Sequence, residues 1–179
     1  MKTFVALLRG VNVGGKNRIP MTELKSSFSA LGHEDVVTYI QSGNVVFRSP
    51  RGNAKDVAAA VEQEIAATFG LSVTVLLRTP AELAAITEEN PFLARNADLS
   101  KLHVVFLADR PAAAAVGRLD PGRSPPDEFS VLGREIYLRL PNGAGRSKLT
   151  IDYFERRLGV AATARNWKTL LKLLALTRS

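Results

Sequence analysis

The fold can be traced outward from FVALLRGVNVGGKNRIP, residues 4–20. Its apolar start, Phe4–Leu8, predicts a buried strand, and Met21–Leu31 predicts a helix. The segment between them, Arg9–Pro20, contains three glycines, two asparagines, three cations and no acid. Glycine lets backbone N–H groups approach an anion closely, and a following helix N-terminus adds about half a positive charge. The loop therefore predicts an anion site.

The rest of the first half predicts three further strands and one helix. Ser42-Gly43 between two apolar runs is typical of a tight hairpin, and Asn53 is placed to cap the helix after it. The resulting order, βαββαβ, is that of the ferredoxin-like plait. The predicted elements are strands over Val36–Gln41, Asn44–Arg48 and Leu71–Leu77 and a helix over Ala54–Phe69.

The second half repeats this order of elements without any sequence identity to the first. We therefore predict an α+β protein of two ferredoxin-like (alpha–beta plait) subdomains with antiparallel sheets, at 1–78 and 102–179, joined by a helix and loop at 79–101, with a C-terminal helix. The predicted elements of the second half are strands at 102–107, 129–132, 135–140 and 160–164 and helices at 111–119, 149–158 and 166–176.

The plait order predicts which loops lie together. In a βαββαβ plait the first two strands are parallel and the third lies between them. The end of strand one and the hairpin between strands two and three then share one end of the sheet. We therefore expect the Arg9–Pro20 loop to lie beside Gln41–Asn44.

Composition excludes several classes of site. The chain has no cysteine and two histidines, so disulfides and cysteine-based zinc sites are excluded, and we predict no metal and no cofactor. No apolar run approaches the roughly 18–20 residues of a membrane span. Arg9 interrupts the first apolar run, which we interpret as a strand and not as a signal peptide. We expect a cytoplasmic protein with no membrane partner; the sequence carries no signal for an oligomeric state.

The net charge of +7 is concentrated at the two ends of the chain. Residues 1–20 carry four cations and no acid, and residues 142–179 carry eight cations and two acids. If these ends meet in the fold, they form one basic face that attracts nucleic acid, other phosphates or acidic ligands. The alternative is a generic solubilising surface.

Gly10 to Lys16 has the spacing of a phosphate loop, G-x-x-x-x-G-K, after a strand. Asn17 stands where that loop needs a hydroxyl, and Pro20 delays the helix. We therefore favour a phosphate or nucleic-acid contact, or a purely structural glycine turn, over a nucleotide-hydrolysing loop. For Gly43, a hairpin turn at positive φ is the alternative to a ligand contact.

Arg165-Asn166-Trp167 begins the last predicted helix. Asn166 can cap that helix by accepting from the Thr169 N–H. Trp167 can stack on a base or an arginine, or it can pack in the core.

Four motifs together carry a resemblance: LRGVNVGGKNRIPM at 8–21, YIQSGNVVF at 39–47, NPF at 90–92 and TARNWKTLLKL at 163–173. With them the chain resembles the domain of unknown function 1697 family of bacterial proteins. The resemblance implies two alpha–beta plaits and implies no particular activity.

Our leading hypothesis is a protein that binds a phosphate-bearing ligand, above all nucleic acid, at a basic surface formed by the 9–20 loop, the 41–44 turn and the 163–169 helix start. One alternative is an enzyme acting on a small phosphorylated or acidic metabolite, although no base or nucleophile stands out. Another is a protein-interaction module without ligand chemistry. The predicted ligand-binding residues are Arg9, Lys16, Arg18 and Arg165 for charge, Gly14, Gly15 and Gly43 for close approach, Asn12, Asn17, Ser42, Asn44 and Asn166 for hydrogen bonds, and Trp167 for stacking.

Overall fold

A computed structural model describes all residues, 1–179. It shows a mixed α+β protein with two four-stranded antiparallel sheets and six helices. No helix combines the length and the apolar character that crossing a bilayer requires. The chain divides into two compact units: the first holds Met1–Ala84 and Lys172–Ser179, the second Ala85–Leu171.

The sheet of the first unit has the strand order β2-β3-β1-β4, with every neighbouring pair antiparallel. The central pair runs from Lys2 opposite Ser49 to Leu7 opposite Asn44. This register brings the end of β1 to the turn before β3. The elements are β1 (Lys2–Leu8), α1 (Met21–Ala30), β2 (Glu34–Tyr39), β3 (Asn44–Ser49), α2 (Ala54–Phe69), β4 (Val75–Arg78) and α3 (Pro80–Glu89), which crosses the boundary between the units.

The core of the first unit lies between its sheet and the helices α1 and α2. Alternate residues of β1 point to the same face of a strand, and Phe4, Ala6 and Leu8 are all buried there. Asn53 caps α2 as predicted, accepting hydrogen bonds from the amides of Lys55 and Asp56. The helix residues in this core are Leu24 and Phe28 of α1 and Val57, Val61 and Ile65 of α2.

The second unit has the strand order β6-β7-β5-β8, again antiparallel throughout. Its helices over the sheet are short, with five residues in α4 and eight in α5, against sixteen in α2. Its core contains Val105, Leu107, Phe154 and Leu158. The elements are β5 (Leu102–Leu107), α4 (Ala113–Gly117), β6 (Glu128–Leu132), β7 (Glu135–Arg139), α5 (Ile151–Leu158), β8 (Ala162–Asn166) and α6 (Trp167–Leu176), which also crosses the boundary.

Several predicted bounds differ from the structure because a strand extends only as far as its partner. β4 was predicted from Leu71 but begins at Val75, since β1 ends at the paired residue, Leu8. β8 was predicted to end at Ala164 but continues to Asn166, which pairs with His103. The final helix consequently starts one residue later than predicted.

The turn between β2 and β3 is longer than the predicted tight hairpin. β2 ends at Tyr39, two residues before its predicted end, and four residues separate it from β3 at Asn44. Ile40 and Gly43 at the ends of this turn both have positive φ, 48° and 76°. The two-residue interpretation of Ser42-Gly43 is therefore wrong.

The compact units do not share the bounds of the predicted subdomains, 1–78 and 102–179, which stay a prediction. The predicted boundaries were residues 78 and 102, whereas contacts within the units place the boundaries inside α3 and α6. The C-terminal helix, predicted to belong to the second subdomain, contributes Lys172 and the following residues to the first unit.

We expect His33 to make the stability of the first unit sensitive to acid. Its ring is buried beside Phe28 and Phe47, at centroid distances of 6.0 and 4.7 Å, and neither ring nitrogen has a hydrogen-bond partner. Burial, and then the Arg51 cation, lower the pKa of His33 below its ordinary 6.5. The unfolded chain therefore binds this proton more readily, and stability falls as the pH drops below about 6.5.

We expect the His33→Leu variant to lose less stability than the wild type between about pH 7.5 and pH 5. Urea unfolding at both pH values measures the difference. His103, whose pKa burial also lowers, remains in the variant and leaves a residual slope of the same sign. Equal pH dependence in both proteins would show that His33 is not a source of the acid sensitivity.

Candidate functional site

The Arg9–Pro20 loop folds on itself as a miniature hairpin. The backbone amide of Asn12 donates to the carbonyl of Asn17 (3.1 Å), and the backbone amide of Lys16 donates to the carbonyl of Val13 (3.0 Å). Gly14 and Gly15 form the tip with φ of 58° and 74°, as a two-residue type I′ turn requires. Lys16 thus lies on the returning arm of a hairpin, and α1 begins only at Met21. A phosphate loop would instead pass directly into its helix.

The loop and the β2–β3 turn lie together, as the plait order predicted. The amide of Leu8 donates to the carbonyl of Gly43 (2.9 Å). The Asn12 side chain spans both segments: its Nδ2 donates to the carbonyls of Gln41 (2.8 Å) and Ile19 (3.0 Å), and its Oδ1 accepts from the Ile19 amide (2.9 Å). All three bonds hold backbone groups that would otherwise lack a protein partner. The Asn12 side chain therefore links the two arms of the loop to each other and to the β2–β3 turn.

Other polar residues of the predicted site also serve the fold. Asn17 has a φ of 50° and donates from Nδ2 to the carbonyl of Gly10 (3.1 Å). Asn44 is fully buried and donates from Nδ2 to the carbonyl of Tyr39 (3.2 Å). Ser42 is half-buried in the turn. The side-chain amides of Asn17 and Asn44 therefore stabilise the loop and the turn from within.

Gly43 makes a close approach to the fold itself. A Cβ at this position would lie 2.8 Å from the Cβ of Leu8 and 3.3 Å from that of Val11. Real Cβ atoms are not found this close to a neighbour, so only glycine lets the turn pack on the end of β1. The structural alternative for Gly43, a turn residue at positive φ, accounts for its geometry.

An open cleft of about 700 Å³ lies between the loop and the first turn of α1. Arg18 supplies its only charged side chain, and it is exposed and makes no ion pair. Pro20 precedes the helix, so no side chain accepts a hydrogen bond from the amides of the first turn. The cleft is lined by Asn12, Gly15, Arg18, Ile19, Pro20, Met21, Thr22 and Gln41.

Three lining residues, Asn12, Gly15 and Arg18, are among those predicted from the sequence. Thr22 was missed, and Gln41 was predicted only as part of the 41–44 turn and not as a ligand-binding residue. The signal for Thr22 was its position just after Pro20, in the exposed first turn of a helix without a side-chain cap. The signal for Gln41 was its place in the turn that the plait order brings to the loop. Arg9 and Lys16 are exposed on the same loop but do not line the cleft.

The second unit contains the remaining predicted residues. Arg165 is buried and donates to Thr163 Oγ1 (2.8 Å) and to the carbonyl of Ala164 (2.8 Å), and burial lowers the pKa of its guanidinium to about 10. Asn166 caps α6 as predicted, accepting from the Thr169 amide (2.8 Å). Trp167 is 3% exposed, so its ring packs mainly inside the protein.

The chemistry available at the loop is that of binding. No His or carboxylate lines the cleft, and no group of three His, Asp or Glu side chains in the chain is placed to hold a metal ion. The lining offers one guanidinium, a hydroxyl, amide groups and the start of a helix. These are groups that hold an anion, and none of them activates a nucleophile.

Comparison with known proteins supports the fold. The chain is similar to the conserved bacterial protein SP0830 from Streptococcus pneumoniae, with a TM-score of 0.77 and 24% sequence identity, over 100% of this chain and 99% of that one. No curated protein matches the chain. The profile of the family described as "Protein of unknown function (DUF1697)" matches residues 1–137. The chain therefore belongs to the DUF1697 family.

Proposed function

We propose that this chain is a cytosolic protein that binds a phosphate-bearing ligand in the cleft beside the first turn of α1. The observation that carries the proposal is the uncapped start of α1 in a cleft whose only charged lining residue is Arg18. Backbone amides at a helix N-terminus favour a negative charge, and a guanidinium binds phosphate oxygens through paired hydrogen bonds. The two features converge on one ligand group.

The charge of the surrounding loop supports an extended ligand. Arg9, Lys16 and Arg18 lie within ten residues, all three are exposed, and the loop contains no acid. Glu23 is in the first turn of α1 but does not line the cleft. A single-stranded nucleic acid whose terminal or internal phosphate enters the cleft would place its neighbouring phosphates near these cations. Nucleic acid is therefore our first candidate.

A small phosphorylated metabolite is the second candidate. The cleft is concave, and its volume of about 700 Å³ lies within the range of small-molecule sites. Thr22 and Gln41 add polar groups to the wall around Arg18. A site of this shape suits a compact ligand better than it suits a duplex.

We also propose that each unit is a ferredoxin-like plait. Each unit has the order strand, helix, two strands, helix, strand, and in each sheet the first and third strands are central. This is the connectivity of the ferredoxin-like plait, and the agreement of both sheets supports two such plaits in one chain.

The Arg18→Ala variant tests the proposal. Charge-assisted hydrogen bonds contribute roughly 1.5–3 kcal/mol, so we expect binding to weaken about 10- to 100-fold. Titrations with single-stranded DNA and RNA oligonucleotides, a nucleoside monophosphate and inorganic phosphate measure this change. The matched control is Lys55→Ala, which removes an exposed cation from α2. Binding of an oligonucleotide through about four phosphates should fall with log salt at a slope of roughly −3.

The probes separate the two candidates. Salt-dependent binding of oligonucleotides that exceeds binding of the monophosphate favours nucleic acid, and the reverse order favours a metabolite. Equal losses in the Arg18→Ala and Lys55→Ala variants would show a general charge effect and contradict the cleft. Absence of binding for all four probes at low salt would exclude a phosphate site here.

A further inference from the structure

The second unit contains a cleft that the phosphate proposal does not use. On one face of β5, burial decreases toward the start of the strand. Val105 and Leu107 are fully buried, whereas His103, on the same face of the strand, is only half-buried. The His103 end of the sheet is thus left open.

The open end is a cleft of about 470 Å³, which we call the His103 cleft. Asn166 pairs with His103 across the β5–β8 ladder and is followed directly by the start of α6. The cleft therefore lies where the 3-10 turn before β5 (Leu99–Lys101), the end of β8 and the start of α6 meet. Its lining residues are Leu99, Ser100, His103, Asn166, Trp167, Lys168 and Leu171.

The apolar part of the His103 cleft is unusually exposed for this protein. Leu99 is 50% exposed and Leu171 is 42% exposed, and both belong to the small set of large apolar side chains that face solvent. They line one concave site together with Trp167, which is itself almost fully buried. Apolar side chains gathered in a cleft, and not scattered singly, are typical of ligand sites.

Lys168 gives the polar part of the cleft a positive charge. The imidazole of His103 and the ammonium of Lys168 have no hydrogen-bond partner within the protein, and no carboxylate lines the cleft. Asp98 lies next to the lining residue Ser100, and its carboxylate is engaged with the Ser100 amide (3.0 Å) and hydroxyl (2.7 Å). A lining cation with no carboxylate beside it in the cleft complements an anionic group on the ligand.

We infer that the His103 cleft binds a small molecule with an apolar body and a single anionic group, such as an aromatic carboxylate. The body lies against Leu99, Leu171 and Trp167, and the anionic group faces Lys168 and His103. The inference is independent of the phosphate proposal because every lining residue belongs to the second unit, whereas the α1 cleft is formed by the first unit alone.

The single tryptophan of the chain provides a direct readout, because Trp167 lines this cleft. The probe is 8-anilinonaphthalene-1-sulfonate, an apolar monoanion that accepts energy from excited tryptophan. Its bound fraction is followed in the full-length protein by sensitised emission on excitation of Trp167. Displacement by 2-naphthoate and by the uncharged 2-naphthamide then tests the anionic group. We expect naphthoate to displace the probe at a concentration about fivefold lower, as one solvent-exposed ion pair allows.

Two variants locate the site. Lys168→Ala removes the lining cation and should weaken naphthoate about fivefold, whereas Lys172→Ala removes an exposed cation one turn further along α6 and should change nothing. Leu171→Glu places a negative charge on the apolar wall at an exposed position, so we expect it to keep the fold and to abolish displaceable probe binding. Circular dichroism and thermal unfolding confirm that each variant is folded.

Unchanged probe binding in the Leu171→Glu variant would place the probe elsewhere and overturn the inference. Equal displacement by naphthoate and naphthamide would remove the anionic group from the proposal. Equal weakening by Lys168→Ala and Lys172→Ala would reduce the effect to overall charge. The Arg18→Ala variant should bind the probe like the wild type, and this result separates failure of one site from failure of the other.

Discussion

The Gly43→Ala variant is expected to lose about 3 kcal/mol of unfolding free energy. A φ of 76° costs a residue with a Cβ about 1–2 kcal/mol, and crowding in a packed region costs a further 1–3 kcal/mol. The new Cβ would lie 2.8 Å from that of Leu8, an atom fixed to the backbone of the central strand β1, so no side-chain rotation relieves the contact. Urea unfolding followed by circular dichroism measures the loss.

The matched control for this prediction is Gly14→Ala. Gly14 has a similar φ of 58°, and a Cβ there would meet no atom within 4 Å. Only the backbone cost remains, so we expect a loss of about 1 kcal/mol. If the two variants lost equal stability, the close packing of Gly43 on β1 would have no energetic weight, and the turn would depend on its φ alone.

The Asn12→Ala variant is expected to lose about 3 kcal/mol as well. It removes three hydrogen bonds and leaves the amide and carbonyl of Ile19 and the carbonyl of Gln41 without their partner. A buried or half-buried group left without a partner costs about 1–3 kcal/mol, reduced here wherever water reaches it. Alanine also tolerates the φ of 55° less well than asparagine does. Urea unfolding measures the total loss, and amide hydrogen exchange at Ile19 reports the local opening.

Two further variants give the Asn12 prediction its controls. Asn17→Ala removes one hydrogen bond at a similar φ of 50°, and we expect about half the loss. Asn12→Asp keeps an acceptor for the Ile19 amide but sets a carboxylate oxygen against two carbonyls, so it should lose at least as much stability as Asn12→Ala. A stable Asn12→Asp variant would contradict the role of the two donated bonds.

Polar loop residues that look alike in the sequence have different surroundings in the structure. Asn12, Asn17 and Asn44 have the composition of a ligand site, and the structure shows their side chains bonded to carbonyls of the protein. Arg18 has the same signature in the sequence, and the structure leaves it exposed in a cleft. Residue type therefore indicated where polar groups gather. It did not distinguish side chains that stabilise the loop and the turn from side chains that could contact a ligand.

The local sequence pattern was sufficient to predict the mixed α+β class, the two antiparallel sheets and the helix caps at Asn53 and Asn166. Apolar periodicity and helix capping depend on residues only a few positions apart, so they can be recognised in the sequence alone. The same element order predicts that the Arg9–Pro20 loop lies beside Gln41, and Asn12 of the loop donates to the Gln41 carbonyl.

Burial and hydrogen-bond partners depend instead on residues far away along the chain. The length of β4 was limited by the end of β1, and the need for glycine at position 43 comes from Leu8. Arg165 was predicted as a ligand cation, and the structure buries its guanidinium among its own neighbours. The His103 cleft is formed by the turn before β5, the end of β8 and the start of α6, which lie far apart along the chain. Each of these features arises from packing between separate elements, which periodicity within one element does not encode.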